Sequence, residues 1–485
     1  MSLATDLAAR LRARIDAGEL PPGARLPAVR DLARTEHVSP AVAGEAYALL
    51  QREGRLVSRV GRGTYVARPR EGGGALVDLT PTGRPAAVSA SLDLQERLAG
   101  AVRPGAVNLS AGLPIVDPEV TAAIGAELEA VVREEGARLF QYGPARGDAG
   151  LRELVASAWR RRGLDADPER ILVTTSGQQA IDLAVRALVE PGDAVLCETP
   201  TYAGAIDALV AARARIVPVP TDARGLLVER VAAAVEAERP AALFVNPTGN
   251  NATGPVLPLE RRRALASLAA ETGLVVIEDD TGAELVHDGS VPPPVAAGDP
   301  EAPVVLVKSY AKTVLPGLRL GVISAPPSLE RRVLAAKMVA DRYTAPPLAR
   351  ALARYLGRPE ADAHLDRVRG IYRERRDAFL RALERRLGGR ATWLEPAAGF
   401  NLWLRLPDGA GEEEIFARAA ERGVVVSPGR VYVPPGVGTS HLRLSFSTAT
   451  PAEADRGLQR LARALRDATD GPRRGRSPED DVLTV

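Results

Sequence analysis

The sequence predicts an α/β protein with an open, mostly parallel sheet and a smaller α+β part, preceded by a small head of helices and a hairpin. Its 485 residues are enough for more than one domain. Beyond residue 170, short apolar runs alternate with helical stretches, which is typical of a parallel sheet covered by helices. The first 70 residues instead show helical spacing and end in a glycine-centred hairpin pattern.

The head is predicted to hold three helices and two short strands. Apolar residues recur every four positions in the first helix: Leu3, Leu7, Leu11 and Ile15. A short second helix and a turn follow, and Ser39 then precedes Pro40 as an N-cap precedes a first helical residue. Two short strands flank a Gly61-Arg62-Gly63 tip. Three helices and such a hairpin make a winged helix-turn-helix.

Charge is unevenly distributed along the chain. The net charge is +2, yet residues 1–70 contain 12 arginines against 7 acidic residues. A basic head on a mildly acidic body is consistent with nucleic-acid binding at the head. The single cysteine, Cys197, excludes an internal disulfide, and the four histidines show no metal-ligand spacing. Because no apolar run has membrane length and no signal-peptide pattern is present, a cytoplasmic location is expected.

The stretch from residue 304 to 326 carries the most specific chemistry. An apolar run predicts a buried strand, and Ser309, Lys312 and Arg319 follow it. A lysine amine can form a Schiff base with an aldehyde cofactor, while a nearby hydroxyl and guanidinium can hold a phosphate. The chain contains lysine only at positions 308, 312 and 337, and arginine cannot form an imine. Lys312 is therefore interpreted as a functional amine rather than a surface lysine.

This stretch resembles the pyridoxal-phosphate lysine motif of fold-type I, class I aminotransferases, S-x-x-K followed by P-G-x-R-x-G. The head resembles the GntR-type DNA-binding domain through its PPGARLP, V-x-x-L-A and G-x-G-T-Y-V motifs. Together the two resemble the MocR-type regulators of the GntR superfamily. The resemblance implies a fold-type I transferase-like α/β major domain, an α+β small domain, a homodimer, and pyridoxal 5'-phosphate as the cofactor.

The resemblance assigns cofactor contacts to several segments. Lys312 would hold the cofactor as an aldimine, Asp279 would pair with its pyridine nitrogen, and Tyr202 would stack on its ring. The phosphate would be held by a helix N-terminus, a hydroxyl, a guanidinium and a tyrosine that reaches across the dimer. These residues are Ser176, Gly177, Gln178, Ser309, Arg319 and Tyr142.

Two asparagines compete for the contact with the phenolic oxygen of the cofactor. An N-x-T-G motif occurs twice, beginning at Asn246 and at Asn251. Spacing to the following pair of arginines favours Asn251 and leaves Asn246 as the alternative. MocR-type chains usually carry a tyrosine near this oxygen, where this chain has Thr281. The substitution counts against efficient transamination more than against cofactor binding.

Gly112 and Arg443 are assigned to the amino ligand. Residues 107–114 resemble the substrate-side N-terminal segment of class I aminotransferases, with Gly112 at its glycine. The segment around Arg443 resembles an L-R-L-x-F motif, whose arginine binds the substrate carboxylate in a bidentate manner.

Arg30, Ser39, Arg59 and Arg62 are the candidate DNA contacts. In GntR-type heads the third helix enters the major groove, and the wing touches the backbone or the minor groove. Related heads usually have an arginine where this chain has Pro40, and the third helix offers few side chains suited to base readout. Specificity is expected to depend on Arg30, the wing and DNA shape.

The predicted domain plan has four segments. They are the head at 1–68, a linker at 69–106, an aminotransferase-like domain at 107–467 whose small part begins at about 346, and a disordered tail at 468–485.

The predicted function is a pyridoxal-phosphate-dependent DNA-binding transcription regulator. It would bind operator DNA as a homodimer and sense an amino compound, or the cofactor itself, through the aldimine at Lys312. The alternative is a class I/II-type aminotransferase with a vestigial DNA-binding head. Turnover of amino and keto acids, compared with binding to specific DNA, distinguishes the two.

Overall fold

The computed structural model describes most of the chain and divides it into two units. The described residues are 3–21, 23–52, 55–59, 63–66, 78–81, 90–101 and 103–469. The units are Met1–Gly74, the head, and Ala75–Val485, the body. No helix among these residues is both long and apolar enough to span a membrane. The predicted tail lies outside the described residues except for positions 468 and 469, which are helical.

The head has the predicted three helices and hairpin. Its elements are α1 (Leu3–Asp16), α2 (Val29–Thr35), α3 (Pro40–Arg52), β1 (Leu56–Arg59) and β2 (Gly63–Val66). Ser39 precedes α3, and its Oγ accepts the backbone N–H of Val42 at 3.3 Å, which caps the helix. The strands pair antiparallel, with Leu56 opposite Val66. Apolar side chains from all three helices and both strands form one core.

The body begins with elements that lead into and build a large α/β part. In chain order these are β3 (Asp78–Pro81), α4 (Ala90–Ala101), β4 (Val107–Asn108), α5 (Pro118–Glu135), α6 (Ala149–Arg160), β5 (Ile171–Thr174), α7 (Gly177–Leu188), β6 (Ala194–Thr199), α8 (Ala203–Ala211), β7 (Arg215–Asp222), β8 (Gly225–Leu226), α9 (Val228–Glu238), β9 (Ala242–Val245), α10 (Leu259–Thr272), β10 (Val275–Asp279), β11 (Val304–Ser309), β12 (Gly321–Ser324), α11 (Pro327–Ala340) and α12 (Pro346–Leu356).

The large sheet has the strand order β5-β12-β11-β10-β9-β6-β7-β8. Strands β6, β7, β9, β10 and β11 run parallel, while β12 is antiparallel to both of its neighbours. Every residue of β5, β6, β9 and β11 is buried, as expected for strands covered by helices on both faces. The prediction of a mostly parallel sheet is confirmed. Thr199, Asp279 and Ser309 end three of the parallel strands and therefore lie at one edge.

The small part is built on a four-stranded antiparallel sheet of order β13-β14-β18-β16. Its elements are α13 (Pro359–Leu387), β13 (Thr392–Trp393), β14 (Asn401–Arg405), α14 (Glu412–Glu421), β15 (Val424–Val425), β16 (Ser427–Pro428), β17 (Val437–Gly438), β18 (His441–Ser445) and α15 (Pro451–Thr469). Strand β4 pairs in parallel with β15, and Val107 and Leu109 enter the small part's core. The segment that precedes the large part in the chain therefore belongs structurally to the small part.

Two stretches differ from the sequence prediction. The helical stretch expected from residue 346 onward is interrupted before Pro359, because proline favours a first helical position. Helix α12 packs with Leu151 in a core of the large part, and that core also includes Ala361 at the start of α13. In the expected linker 69–106, β3 pairs with β17 and α4 is helical, so most of the described residues of that stretch belong to regular elements. The glycine run at 72–74 lies outside the described residues.

Candidate functional site

A cavity of about 180 Å³ opens at the carboxyl edge of the large sheet. Nine residues assigned from the sequence line it: Ser176, Gly177, Gln178, Tyr202, Asn251, Asp279, Ser309, Lys312 and Arg319. Asn246 and Thr281 line it as well, and the small part contributes Phe400 and Asn401. Both parts of the body thus form the cavity, at the edge where open α/β sheets bind ligands.

Lys312 lies in the loop after β11 with its amine largely buried. Its Nζ donates a hydrogen bond to the carbonyl oxygen of Gly112 at 2.9 Å. Burial lowers the pKa of Lys312 from 10.5 to about 8, and the charges of Arg443 and Arg319 add to this effect against the opposing charge of Asp279. Such an amine has a much larger neutral fraction near neutral pH than an ordinary lysine, and the neutral amine is the nucleophile.

The other two lysines are buried in ion pairs, which the sequence argument did not foresee. Lys308 Nζ lies 2.8 Å from a carboxylate oxygen of Glu284, and Lys337 Nζ lies 2.8 Å from one of Asp341. The rarity of lysine therefore does not by itself distinguish Lys312, because none of the three is a surface lysine. Lys312 differs from the others because its hydrogen-bond partner is a neutral carbonyl group.

The N-terminus of α7 forms the wall of the cavity next to Ser309. Ser176 caps the helix by accepting the backbone N–H of Gln179 at 3.0 Å. Among the described residues, the backbone N–H groups of Gly177 and Gln178 have no acceptor. Free N–H groups at a helix N-terminus bind phosphates and other anions. The Gln178 side chain is turned away from this role, because its Nε2 donates to the carbonyl oxygen of Gly204 at 2.7 Å.

Two glycines allow α7 to approach the sheet closely. A Cβ at Gly177 would lie 2.8 Å from Ser309 Cβ, and a Cβ at Gly321 would lie 2.7 Å from the backbone nitrogen of Gly177. Any side chain at either position would push the helix away from Ser309. Arg319, which lines the same cavity, has a left-handed backbone with φ of 53°, a conformation that only a few non-glycine residues adopt.

Asp279 ends β10 with a buried carboxyl group that faces the cavity. Burial raises its pKa, while the hydroxyl and backbone N–H of Thr281 stabilise the carboxylate, the latter at 3.0 Å. Thr281 Oγ1 also accepts the backbone N–H of Ser309 at 3.1 Å. Thr281 therefore joins the ends of β10 and β11, a role that the sequence did not indicate. A cationic group in the cavity would give this carboxylate the charged partner that favours ionisation.

The two candidate asparagines have different hydrogen-bond partners. Asn246 is buried and both atoms of its amide have a partner, since its Nδ2 donates to the Asp279 carbonyl oxygen at 2.6 Å and its Oδ1 accepts the N–H of Asn251 at 2.8 Å. Asn251 Oδ1 accepts from Arg443 Nη1 and from Asn401 Nδ2, both at 3.0 Å. Within the described part of the chain, Asn251 Nδ2 has no acceptor. It is the amide group still available to a ligand.

Arg443 lies in β18 and is buried beside Asn251. Its guanidinium carbon lies 4.6 Å from the centre of the Tyr432 ring. Its Nη2 donates to the carbonyl oxygen of Ser110, in the same segment that supplies Gly112. Among the described residues, its Nε has no hydrogen-bond partner. A buried guanidinium with an open N–H is suited to bind a carboxylate.

The sequence analysis did not assign Phe400 and Asn401, although both line the cavity. The centre of the Phe400 ring lies 5.8 Å from Lys312 Nζ. Asn401 is buried and bonded to Asn251, as described above. The available signal was compositional, because Asn401 is the one polar residue in the apolar run Phe400 to Leu404.

Tyr142 is not among the described residues that line the cavity. Tyr142 is 87% exposed, and its ring centre lies 5.1 Å from that of Tyr343. In the head, Arg30 and Ser39 are exposed, while Arg59 ends β1. Arg62 lies outside the described residues.

Two family models match the chain. The model "Aminotransferase class I and II" matches residues 104–461, and the model "Bacterial regulatory proteins, gntR family" matches residues 3–66. The two matches lie one after the other and together account for most of the chain.

Known proteins resemble either the body or the whole chain. A 2-aminoadipate transaminase from Thermus thermophilus is 35% identical over 380 residues, which cover 77% of this chain and 93% of that protein. The HTH-type transcriptional regulator TauR from Rhodobacter capsulatus is 30% identical over 463 residues, which cover 93% of each. The solved structure of LysN, an alpha-aminoadipate aminotransferase from Thermus thermophilus complexed with N-(5'-phosphopyridoxyl)-L-leucine, has a TM-score of 0.72 at 32% identity. That match covers 79% of this chain and 95% of LysN.

Proposed function

Since this chain belongs to the aminotransferase class I and II family and carries a gntR-family head, the architecture of MocR-type regulators, we propose that it is a pyridoxal-phosphate-binding transcription regulator. One observation carries the proposal. A lysine amine of lowered pKa, a buried carboxyl group and a helix N-terminus with free N–H groups line a single cavity. These three features match the aldehyde, the ring nitrogen and the phosphate of one cofactor.

The residues around the cavity fit pyridoxal 5'-phosphate. When bound, it supplies an aldehyde that condenses reversibly with primary amines. Lys312 provides the resident amine, Asp279 a carboxylate for the protonated ring nitrogen, and Tyr202 an aromatic face. Asn251 offers its free Nδ2 to the phenolic oxygen. The phosphate is held by the first N–H groups of α7, the Ser309 hydroxyl and the Arg319 guanidinium.

The ligand that the regulator senses is an amino compound with a carboxylate. Its carboxylate would bind Arg443, whose buried Nε has no partner among the described residues, and its amine would compete with the Lys312 amine for the aldehyde of the cofactor. Gly112 borders both Lys312 and Arg443. Its carbonyl oxygen accepts a hydrogen bond from Lys312, and a Cβ on Gly112 would lie 3.8 Å from Arg443 Nη1. Movement of Lys312 away from Gly112 would break this hydrogen bond, which holds the segment that connects the cavity to the core of the small part.

The head binds operator DNA, and the chain acts as a homodimer in the cytoplasm, where an operator is accessible. Arg30, Ser39, Arg59 and Arg62 are proposed to contact the DNA. A ligand changes DNA binding only if it binds one arrangement of the dimer more tightly than the other. The amino compound must therefore favour either the DNA-bound or the free arrangement.

DNA binding and turnover, measured together, test the proposal. Purified protein loaded with pyridoxal phosphate is titrated onto DNA from the region upstream of its own gene, with and without a panel of amino acids. The proposal expects specific binding that one amino compound shifts at least threefold, without release of a keto acid. Binding that is equal on random DNA and indifferent to every amino compound contradicts it.

A second candidate is an aminotransferase with a vestigial head. The 35% identity with a 2-aminoadipate transaminase favours it, as do the positions of Lys312 and Asp279 at the cavity and of Arg443 beside Asn251. An aminotransferase would turn over repeatedly, so the amount of keto acid released would exceed the amount of protein. The same experiment therefore decides between the two candidates.

A further inference from the structure

A chain of hydrogen bonds fixes the orientation of two amide side chains beside the cavity. Arg443 has only donors, so Asn251 must turn its Oδ1 toward Arg443 Nη1, which lies 3.0 Å away. The Asn401 amide lies 3.0 Å from this same oxygen, so it must donate a hydrogen bond to it through Nδ2. The order of donors and acceptors leaves no freedom to exchange the oxygen and nitrogen of either amide.

The consequence is an acceptor without a donor. Asn401 Oδ1 is buried and has no hydrogen-bond partner among the described residues. The side chain is 6% exposed, so bulk water does not compensate for the missing bond. A buried acceptor without a donor is costly, and side chains kept in this state usually meet a ligand or an ordered water.

Gly112, which has no side chain, lies next to this oxygen. A Cβ on Gly112 would lie 3.4 Å from Asn401 Oδ1, 3.8 Å from Arg443 Nη1 and 3.2 Å from a ring carbon of Phe400. An acceptor and a guanidinium thus border the same small volume. A ligand whose carboxylate binds Arg443 has the adjoining atoms of its side chain within reach of Asn401.

The charges nearby restrict the kind of donor. A cationic donor would lie close to the Arg443 guanidinium and to Lys312, both of which repel it. An anionic group would face the Asn401 oxygen, which also repels it. A neutral donor, such as a hydroxyl or a carboxamide N–H, satisfies the oxygen without either conflict.

We infer that Asn401 is a specificity-determining residue that selects short amino acids with a neutral hydrogen-bond donor in the side chain. The inference rests on the proposed function, because it describes the ligand of the same cavity. Such a ligand binds Arg443 through its carboxylate and Asn401 through its hydroxyl or carboxamide. An apolar isostere leaves Asn401 Oδ1 unpaired.

Isosteric pairs of amino acids test the inference. Full-length protein loaded with pyridoxal phosphate is titrated with L-threonine, L-valine, L-asparagine and L-leucine, and the change in cofactor absorbance gives each dissociation constant. Wild type is expected to bind threonine and asparagine about tenfold more tightly than valine and leucine, the effect of one unpaired buried acceptor. Asn401→Leu is expected to reduce both ratios to about one.

A second variant and the response of the wild-type protein distinguish failure of this inference from failure of the proposed function. Asn401→Ala removes the same acceptor with less bulk and is expected to lose both preferences too, so one misfolded variant does not decide the result. Unchanged ratios in the variants, or ratios of one in wild type, overturn the role of Asn401 alone. A wild-type protein without cofactor absorbance, or without response to any of the four amino acids, counts against the proposed function as well.

Discussion

At the scale of single residues, the environment of Lys312 distinguishes it from the other lysines. Lys308 and Lys337 each have a carboxylate partner. Lys312 has a neutral carbonyl partner and two arginines nearby, so burial lowers its pKa to about 8. The sequence assigned Lys312 from its motif, whereas the pairing of the other two lysines was visible only in the fold.

Covalent capture of the cofactor should follow this pKa. Because the pKa is lowered, Lys312 is neutral above about pH 8 and protonated below it. The rate at which the cofactor-free protein captures pyridoxal phosphate should rise about tenfold per pH unit below pH 8 and then level off. Absorbance-monitored mixing over a pH series measures it. A rate that keeps rising up to pH 10.5 would show that the pKa of Lys312 is not lowered.

Arg443 contributes to this lowered pKa, which allows a matched comparison. Arg443→Met removes one cation and one donor to Asn251 while retaining a long side chain. The capture profile should move to higher pH, and affinity for amino acids should fall by about tenfold or more through loss of the carboxylate contact. A variant whose profile and amino-acid affinity both match wild type would show that Arg443 acts on neither.

At the scale of elements, the contact between α7 and the ends of β11 and β12 depends on glycine. The sequence predicted a strand, a turn and a helix, and it assigned Ser176, Gly177 and Gln178 to a phosphate. It did not predict that Gly177 and Gly321 lie against each other and against Ser309. That contact joins residues far apart in the chain, so local spacing carries no signal for it.

A methyl group at this contact should therefore displace the helix. Gly177→Ala places a Cβ 2.8 Å from Ser309 Cβ and should reduce affinity for pyridoxal phosphate at least tenfold. Gly370→Ala in α13 is the control, since its Cβ would meet nothing within 4 Å. The control should retain the affinity and gain about 0.5–1 kcal/mol of helix stability. Equal cofactor affinities in the two variants would contradict the role of the contact.

The head shows a limit of sequence reasoning about elements. The three helices and hairpin were predicted because their apolar spacing, N-cap and turn residues are local. The described outer positions of α3 include Ala41, Glu45 and Ala48, which are not buried, so the helix has few side chains that form bidentate contacts to bases. For the proposed DNA binding, we therefore expect more of the affinity to come from arginines of neighbouring elements.

Two arginines on α2 provide a direct comparison. Arg30 is exposed and, within the described residues, forms no ion pair, whereas Arg34 lies 2.7 Å from Asp31. Arg30→Ala should weaken DNA binding and lower the salt-dependence slope by about 1, as the loss of one phosphate contact does. Arg34→Ala should change the slope less. Binding isotherms at four salt concentrations measure both, and equal slopes for the two variants would exclude Arg30 as a contact.

At the scale of the whole molecule, the cavity requires residues that the sequence order separates widely. The large part supplies Lys312 and Asp279, and the small part supplies Phe400 and Asn401. The segment with Gly112 precedes the large part yet pairs with the small part through β4. The alternation of strands and helices predicted the large part, whereas the return of this early segment to the small part depends on long-range packing.

The proposed dimer makes a prediction about Tyr142, which is exposed and does not line the cavity of its own chain. If it serves the cavity of the other subunit, a hybrid of Lys312→Ala and Tyr142→Ala subunits contains one site with both defects and one intact site. Half of the sites should then bind pyridoxal phosphate with wild-type affinity. Absence of any wild-type site in the purified hybrid would show that Tyr142 does not act across the dimer.

The central claim is that Lys312 holds pyridoxal phosphate, and borohydride reduction followed by peptide mapping tests it most directly. The chain has only three lysines, so the position of a reduced adduct is unambiguous. The account expects one phosphopyridoxyl group per chain, on Lys312, and none in the Lys312→Ala variant with its fold retained. An adduct on Lys308 or Lys337, or no adduct in wild type at saturating cofactor, would contradict it.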